Sequence, residues 1–335
     1  MINHIRNNNI YARASIIKTM SEPQNLQPIY VVGPTASGKS ALALELAKEF
    51  DGVIISADSM QIYRGLDVGT AKESKEIRDL VPHKMIDVVD ADEEFSVAEY
   101  ADMAKKEIEN ALNGGKLPIV VGGTGLYFEA LIFPMSFANT VKNPELREKL
   151  AKELEEYGAE YLHEKLEKLD KKTAERLHTN DTKRVIRALE IILTTGKTLD
   201  ENKDEQANDK PNVIMIGLNT DRAKLYERIN ERVDEMFAAG LVDEVYSVGS
   251  FDYQSMQAIG YKEFADAKPQ KIGNNFVLDD ETLAEIKDKI KQHTRNYAKR
   301  QLTWFRKYDF VKWFDCSDIS LAVEYVRNVL RCGNN

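Results

Sequence analysis

With 335 residues, 43% of them hydrophobic and 30% charged, the chain is long enough for a full core plus an insertion or second domain. Its longest apolar runs are too short to cross a bilayer. A net charge of −9 excludes a protein that is basic all over, while leaving room for a locally basic nucleic-acid site. The two cysteines, Cys316 and Cys332, exclude a disulfide framework and a cysteine-based zinc site, and point to a reducing, cytoplasmic setting.

Residues 1–27 read as a disordered or mis-started extension. Arg6, Arg13 and Lys18 are its strong cations and Glu22 its acid, but the amphipathic helix of a transit peptide is not clear, and Met20 could be the true start. Residues 28–140 read as the first part of an α/β core. The apolar run Pro28-Ile29-Tyr30-Val31-Val32 predicts a buried strand, and Ala41-Leu42-Ala43-Leu44-Glu45-Leu46-Ala47 predicts a helix. Between them stands Gly33-Pro34-Thr35-Ala36-Ser37-Gly38-Lys39-Ser40, the G-x-x-x-x-G-K-[ST] pattern in the strand-to-helix setting it requires. Such a loop aims backbone N–H groups at phosphate oxygens from the positive end of a helix dipole. Lys39 adds a point charge, and the Ser40 hydroxyl is a candidate Mg²⁺ ligand. The chain is therefore expected to bind a phosphate or diphosphate group.

The second strand, Val53-Ile54-Ile55, runs into Ser56-Ala57-Asp58-Ser59-Met60-Gln61-Ile62-Tyr63. An acid at the carboxyl end of this strand points into the phosphate crevice, where Asp58 could hold Mg²⁺, act as a general base, or merely cap a helix. Asp67-Val68-Gly69-Thr70-Ala71-Lys72 is a polar turn to which spacing assigns nothing. A helix over 96–112 stops at Gly114-Gly115, and Pro118-Ile119-Val120-Val121 is a third buried strand. The turn Gly122-Gly123-Thr124-Gly125-Leu126-Tyr127-Phe128 is not G-x-G-x-x-G, so a dinucleotide site is not expected. Its glycines let backbone approach a ligand closely, and Thr124 falls at the carboxyl edge of the sheet.

Residues 141–205 change character. Asn143-Pro144 starts a helix, with Leu146, Leu150, Leu154 and Tyr157 at helical spacing up to Gly158. A second helix covers 161–169, and a third covers 181–195 with Val185, Ile186, Leu189, Ile192 and Leu193 inward, closed by Gly196. With no strand in the pattern, this is an all-helical insertion, and Lys183, Arg184 and Arg187 put cations on one edge of its last helix. Within 200–210, a charged linker, Asn202-Lys203-Asp204-Glu205 narrowly misses the guanine-reading N-K-x-D pattern and lacks a preceding strand.

Residues 206–335 return to the core. Asn212 to Leu218 supply a strand, and a helix over 221–239 carries Arg228 and Arg232 in register. The long helix over 280–307 is the most basic stretch, holding Lys287, Lys289, Lys291, Arg295, Lys299, Arg300, Arg306 and Lys307. Tyr297, Trp304, Phe305 and Tyr308 are interleaved with these cations, a combination suited to phosphate contact and base stacking. A strand at Val311-Lys312-Trp313-Phe314 and a helix over 319–330 close the chain.

Together these motifs resemble the tRNA dimethylallyltransferase family. The matching stretches are Gly33 to Lys39, Asp58-Ser59-Met60-Gln61-Ile62-Tyr63, Asp67 to Lys72, Gly122-Gly123-Thr124, Ile259-Gly260-Tyr261-Lys262-Glu263 and Lys299-Arg300-Gln301-Leu302-Thr303-Trp304-Phe305. The resemblance is to the bacterial type, since the zinc finger of eukaryotic relatives is missing. It implies a P-loop NTPase-like parallel sheet flanked by helices, with the helical insertion binding tRNA. The implied reaction moves a dimethylallyl group from its diphosphate, with Mg²⁺, to N6 of the adenine 3′ to the anticodon. The P-loop, Gly33, Pro34, Thr35, Ala36, Ser37, Gly38, Lys39 and Ser40, would then hold the diphosphate of the allylic donor. By the same resemblance Asp58 takes the proton of the attacking amine, Thr124 bonds the substrates and Arg232 contacts the diphosphate. The tRNA contacts implied are Asp58, Ser59, Met60, Gln61, Thr124, Arg147, Lys183, Arg184, Arg187, Gln257, Gly260, Tyr261, Lys262, Lys299, Arg300, Gln301 and Arg306. A monomer is expected. Two other readings stay open: a prenyltransferase acting on free adenine nucleotide, against which the insertion and basic helix count, and a P-loop small-molecule kinase.

Overall fold

The computed structural model describes residues 26–133, 143–201, 211–267, 270–272 and 275–332. The expected extension and linker therefore lie largely outside the described residues. Two compact units divide the chain: Met1–Glu94, Lys106–Gly123 and Val213–Asn335 form one, and Phe95–Lys105 with Thr124–Asn212 form the other.

The first unit is built on six parallel strands: β1 (Ile29–Val32), β2 (Gly52–Ala57), β3 (His83–Lys84), β4 (Leu117–Gly122), β5 (Ile214–Asn219) and β8 (Val311–Asp315). Their order is β3-β2-β4-β1-β5-β8, so β1 lies inside the sheet, with Val31 opposite Val121 on one side and Ile216 on the other. Parallel strands covered on both faces are apolar without interruption, and β1, β2 and β4 are buried at every position. One face follows the period of two. Ile29, Val31, Ile119, Val121, Ile214, Ile216 and Leu218 pack on Leu42, Ala43, Leu46 and Ala47 of helix α1 (Lys39–Phe50), and on Ala322, Val323 and Val326 of the closing helix (Ile319–Cys332). Burying one such leucine or isoleucine contributes about 1.5–3 kcal/mol before chain entropy is counted. The α/β class and parallel sheet expected from the sequence are present.

Sequence reasoning missed several short elements of this unit. These are α2 (Lys75–Leu80), β3, a hairpin of β6 (Gln270–Ile272) with β7 (Asn275–Val277), and the helices α9 (Leu241–Ser247) and α10 (Lys262–Asp266). Each has too few residues to show a period.

In the second unit, helix α3 (Val97–Asn113) contributes its first turns and α4 (Gly125–Ile132) follows the second glycine turn; residues 125–128, expected as turn, are helical. Helix α5 (Pro144–Leu169) starts where Asn143 accepts the Leu146 N–H at 3.0 Å, and breaks at Gly158, whose φ of 84° departs from the helix. The short α6 (Lys171–Arg176), not expected, and α7 (Thr182–Thr195) complete a bundle around Leu150, Leu162, Leu166, Val185, Ala188, Leu189 and Ile192. Leu193, expected inward, is 42% exposed, and Tyr157, expected at helical spacing with the leucines before it, is 55% exposed. Leu193 falls at the edge of the seam through Val185, Leu189 and Ile192, and Tyr157 abuts the break at Gly158. No strand occurs among the described residues of this unit.

Candidate active site

The phosphate loop leaves the carboxyl end of β1, inside the sheet. Gly33 has φ of 143°, and a Cβ there would stand 2.3 Å from the Leu218 carbonyl oxygen, so only glycine turns the chain at this point. Lys39 opens α1 and Ser40 follows it, exposed. Ser37 is fully buried, and its Oγ has no hydrogen-bond partner among the described residues. The Lys39 amine donates to the Pro34 carbonyl at 2.5 Å. Its pKa is pushed down to about 7, first by burial and then by the Arg232 guanidinium, against the pull of Asp58. Arg232 comes from α8 (Arg222–Ala238), which Asp221 caps by accepting the Ala223 N–H at 2.8 Å. Burial lowers its pKa too, opposed by Asp58, Glu73 and Glu235. Two cations and one carboxylate thus share a single electrostatic environment at the carboxyl edge of the sheet, where open α/β sheets bind ligands.

Asp58 follows β2 directly. Its Oδ1 accepts the Met60 N–H at 2.9 Å, which fixes the turn and leaves the other oxygen out of that bond. No helix follows, so Asp58 holds a turn rather than capping a helix, and its second oxygen is compatible with chemistry because a carboxylate has two. Ser59, Met60 and Gln61 continue the turn, and the Gln61 amide is held between the Ser56 hydroxyl (2.8 Å) and the Thr70 carbonyl (3.3 Å). That carbonyl also accepts from Arg232 Nη2 at 3.4 Å. The 67–72 turn, mute in the sequence, is closed by Lys72, whose side chain is 2% exposed and bonds the Tyr63 carbonyl, Asp67 and Asp87 at 2.6 Å each.

Several residues that the resemblance assigns to tRNA have other partners. Gln301, on α11 (Asp280–Arg306), is 5% exposed; it accepts the Thr35 N–H at 2.9 Å and donates to the Gly123 carbonyl at 3.0 Å. It ties the phosphate loop to the end of β4. Tyr261 is fully buried, with its hydroxyl bonded to Glu244 at 2.7 Å, and Gly260 donates its N–H to the buried Glu263 at 2.8 Å. The Tyr261 ring therefore presents no face for stacking on a base. Gln257 is exposed and Lys262 half-buried. On α11, Lys287 and Lys291 face Asp234 (3.4 and 2.8 Å), and Arg295 bonds Asn230 at 2.6 Å. Lys299, Arg300 and Arg306 are exposed further along, with Lys299 over the Tyr226 ring and Arg300 over that of Tyr297.

In the helical unit, Thr124 is the N-cap position of α4 and follows Gly123 in the chain. Arg147 and Arg187 both bond Oε2 of the fully buried Glu190, at 2.8 and 2.6 Å, while the Asn143 N–H donates to its other oxygen. Lys183 and Arg184 are exposed, and Arg184 pairs with Asp181. Glu190 and Glu244 were missed, and Glu263 entered only as part of the 259–263 stretch, with no role of its own. Their signal is largely tertiary, because partners such as Asn143 and Arg147, Asp67 to Gly69, and His293 lie far along the chain from them.

For a divalent cation, the described residues hold no group of three or more His, Cys, Asp or Glu side chains. The exposed Ser40 hydroxyl near the start of α1 is a group that could hold Mg²⁺, an ion that keeps several waters and binds chiefly through substrate phosphates.

A parallel sheet with this loop, two cations and a carboxylate at its carboxyl edge is the architecture of the P-loop class. The family described as IPP transferase matches residues 61–308. A tRNA dimethylallyltransferase of Thermoanaerobacter sp. (strain X514) is 46% identical, covering 91% of this chain and 97% of that protein, and one of Bacillus cereus (strain AH187) is 45% identical over 92% and 96%. Among solved structures, the full-length tRNA isopentenylpyrophosphate transferase from Bacillus halodurans aligns with a TM-score of 0.66 and 42% identity, over 92% of this chain and 98% of that one. A eukaryotic dimethylallyltransferase acting on tRNA aligns with a TM-score of 0.73 and 29% identity, over 88% and 75%. The chain belongs to the IPP transferase family, the tRNA dimethylallyltransferases.

Proposed function

We infer that this enzyme transfers a dimethylallyl group from dimethylallyl diphosphate to an adenine of tRNA. The observation that carries the reading is the meeting of Lys39, Arg232 and Asp58 at a P-loop, in a chain of this family. The residue-level roles and the acceptor atom, N6 of the adenine 3′ to the anticodon, belong to the proposal.

The chemistry follows from the residues. Ionising the allylic C–O bond leaves charge on the diphosphate, which preorganised N–H groups and cations stabilise by several kcal/mol when water is excluded. Lys39 and Arg232, both disfavoured as cations by burial, regain stability when the diphosphate arrives, and the unpartnered Ser37 hydroxyl can donate to a phosphate oxygen. Ser40 would hold Mg²⁺, which adds positive charge to the leaving group. The Asp58 oxygen not bonded to Met60 takes the proton from the adenine amine as it attacks the allylic carbon. The target base must leave its stack to reach these groups. Thr124 is assigned to substrate bonding. In the first unit Lys299, Arg300 and Arg306 on α11 are assigned to tRNA; in the helical unit, taken by itself, Arg147, Lys183, Arg184 and Arg187 are. Tyr261 and Gln301 support the phosphate loop and its surroundings rather than contact the nucleic acid. We place the protein in the cytoplasm as a monomer.

The test is to offer labelled dimethylallyl diphosphate with bulk tRNA, with AMP, or with neither. Label in tRNA alone, at the adenine 3′ to the anticodon, is expected. Label in AMP would select a free-nucleotide prenyltransferase, and ATP consumption without transfer a kinase.

A further inference from the structure

Glu244 lies on the short helix α9 and plays no part in the motifs or in the reaction as assigned. Its carboxylate is nevertheless saturated with donors. Oε2 accepts the Asp67 and Val68 N–H groups at 2.7 and 2.6 Å; Oε1 accepts the Gly69 N–H at 2.8 Å and the Tyr261 hydroxyl at 2.7 Å. Among the described residues no cation pairs with it, so the charge is stabilised by three consecutive backbone amides and a phenol. Burial and the neighbouring carboxylate push the Tyr261 pKa up, which keeps the phenol protonated and donating. Gly69 lies so close to this ring that a Cβ there would approach the phenol oxygen to 2.5 Å.

We propose that Glu244 is a positioning residue for Arg232: by clamping residues 67–69 it sets the Thr70 carbonyl that orients the guanidinium at the diphosphate site. This rests on the reading of Arg232 as a diphosphate contact. Thr70 is the next residue beyond the clamp, and its hydroxyl is tied back to the Leu66 carbonyl at 2.5 Å. Its carbonyl receives Arg232 at 3.4 Å, a weak contact that cannot by itself hold the loop. The position of that carbonyl is set from the other side, by three amide bonds of residues 67–69 to a carboxylate that the Tyr261 hydroxyl holds in turn, together with the Lys72 bonds that close the turn. Gln61 shares the carbonyl, so the same clamp also reaches the turn that carries Asp58. Glutamine cannot substitute at 244, because its amide nitrogen would face backbone N–H groups donor to donor.

The experiment is a mutant cycle on the full chain with Glu244→Gln, Arg232→Gln and the double variant. It measures affinity for inorganic pyrophosphate with Mg²⁺, kcat and KM for dimethylallyl diphosphate, tRNA affinity and the melting midpoint. Glu244→Gln is expected to weaken pyrophosphate and raise donor KM by roughly tenfold, with tRNA affinity changed less than about twofold. The double variant should bind pyrophosphate no more weakly than Arg232→Gln alone, since the effect of Glu244 runs through Arg232. Independent, additive losses would overturn the inference, as would unchanged affinity in Glu244→Gln. If Arg232→Gln itself leaves pyrophosphate affinity intact, the reading of Arg232 fails instead, and the two failures are told apart. Should Glu244→Gln not fold, Tyr261→Phe takes its place in the cycle. It is expected to weaken pyrophosphate about threefold in the parent and not at all beside Arg232→Gln, and no change in the parent would overturn the clamp.

Discussion

Gln301 offers a sharp test, because its position on the basic helix suggests a tRNA contact while its bonds suggest a brace. Gln301→Leu keeps the volume and removes both bonds at once. The Thr35 N–H and the Gly123 carbonyl then go without partners, at about 1–3 kcal/mol for each buried group left unsatisfied. The sum of about 2–6 kcal/mol is a large share of a typical domain's stability, and should lower the melting midpoint by roughly 4–12 °C at about 2 °C per kcal/mol. Because Thr35 sits in the phosphate loop, pyrophosphate affinity should fall as well. Gln301→Glu makes the argument directional: its carboxylate still accepts from Thr35, but it sets an oxygen against the Gly123 carbonyl and a negative charge beside the anion site. Pyrophosphate should therefore bind more weakly to Gln301→Glu than to Gln301→Leu. Denaturant unfolding and calorimetry with pyrophosphate read both quantities, and filter binding reads tRNA. A Gln301→Leu variant with unchanged midpoint and pyrophosphate affinity, but weakened tRNA binding, would refute the brace and restore the tRNA contact.

Asp58→Asn keeps the bond from the Met60 N–H but cannot take a proton, so kcat should fall by about 10²–10⁴ with donor affinity little changed. Rescue of the rate by excess Mg²⁺ would make Asp58 a metal ligand instead. Replacing Lys299, Arg300 and Arg306 with Gln should weaken tRNA binding and flatten its salt dependence by about 0.7–0.9 log unit for each phosphate no longer neutralised. Replacing Lys287 and Lys291, which Asp234 already engages, should leave that slope unchanged. Burial of Glu190 raises its pKa, but Arg147, the Asn143 amide and Arg187 outweigh burial and hold it below the ordinary glutamate range. Its contribution to the helical unit is therefore complete above about pH 4.3 and is lost as pH falls through the lower folded value. Thermal melts of Glu190→Gln should be less stable at pH 7 and should lack that part of the acid-side loss; a parallel acid limb would show that the carboxylate contributes nothing.

How much of this was legible follows from the range of each interaction. The phosphate loop, the strands around it and the basic helix are written locally, in runs of β-branched residues, glycines at fixed offsets and a 3.6-residue period. The kink at Gly158 and the Asn143 cap were legible for the same reason. The partners were not. Nothing near Lys287 announces that Asp234 neutralises it, and nothing in Gln301-Leu302-Thr303 shows that the amide is turned inward to Thr35 rather than outward to nucleic acid. The polar turn at 67–72 was mute because its meaning lies in Glu244, on a helix of seven residues too short to carry a signal.

These cases share a physical cause. A carboxylate withdrawn from water must recover several strong hydrogen bonds, and in this chain backbone amides supply a large part of them. Glu244 takes three consecutive amides, Glu190 the Asn143 amide with two arginines, and Glu263 the Gly260 amide with His293 at 2.5 Å. Each of these acids, Glu190 and Glu263 fully buried and Glu244 half-buried, therefore fixes a stretch of backbone and, with it, the groups that stretch carries. Part of the excess of acids behind the net charge of −9 is organised inward in this way, while Lys299, Arg300 and Arg306 remain on the surface. An acidic protein can then present a basic face to a polyanion, because the field at that face depends on which charges remain there and not on their sum over the chain.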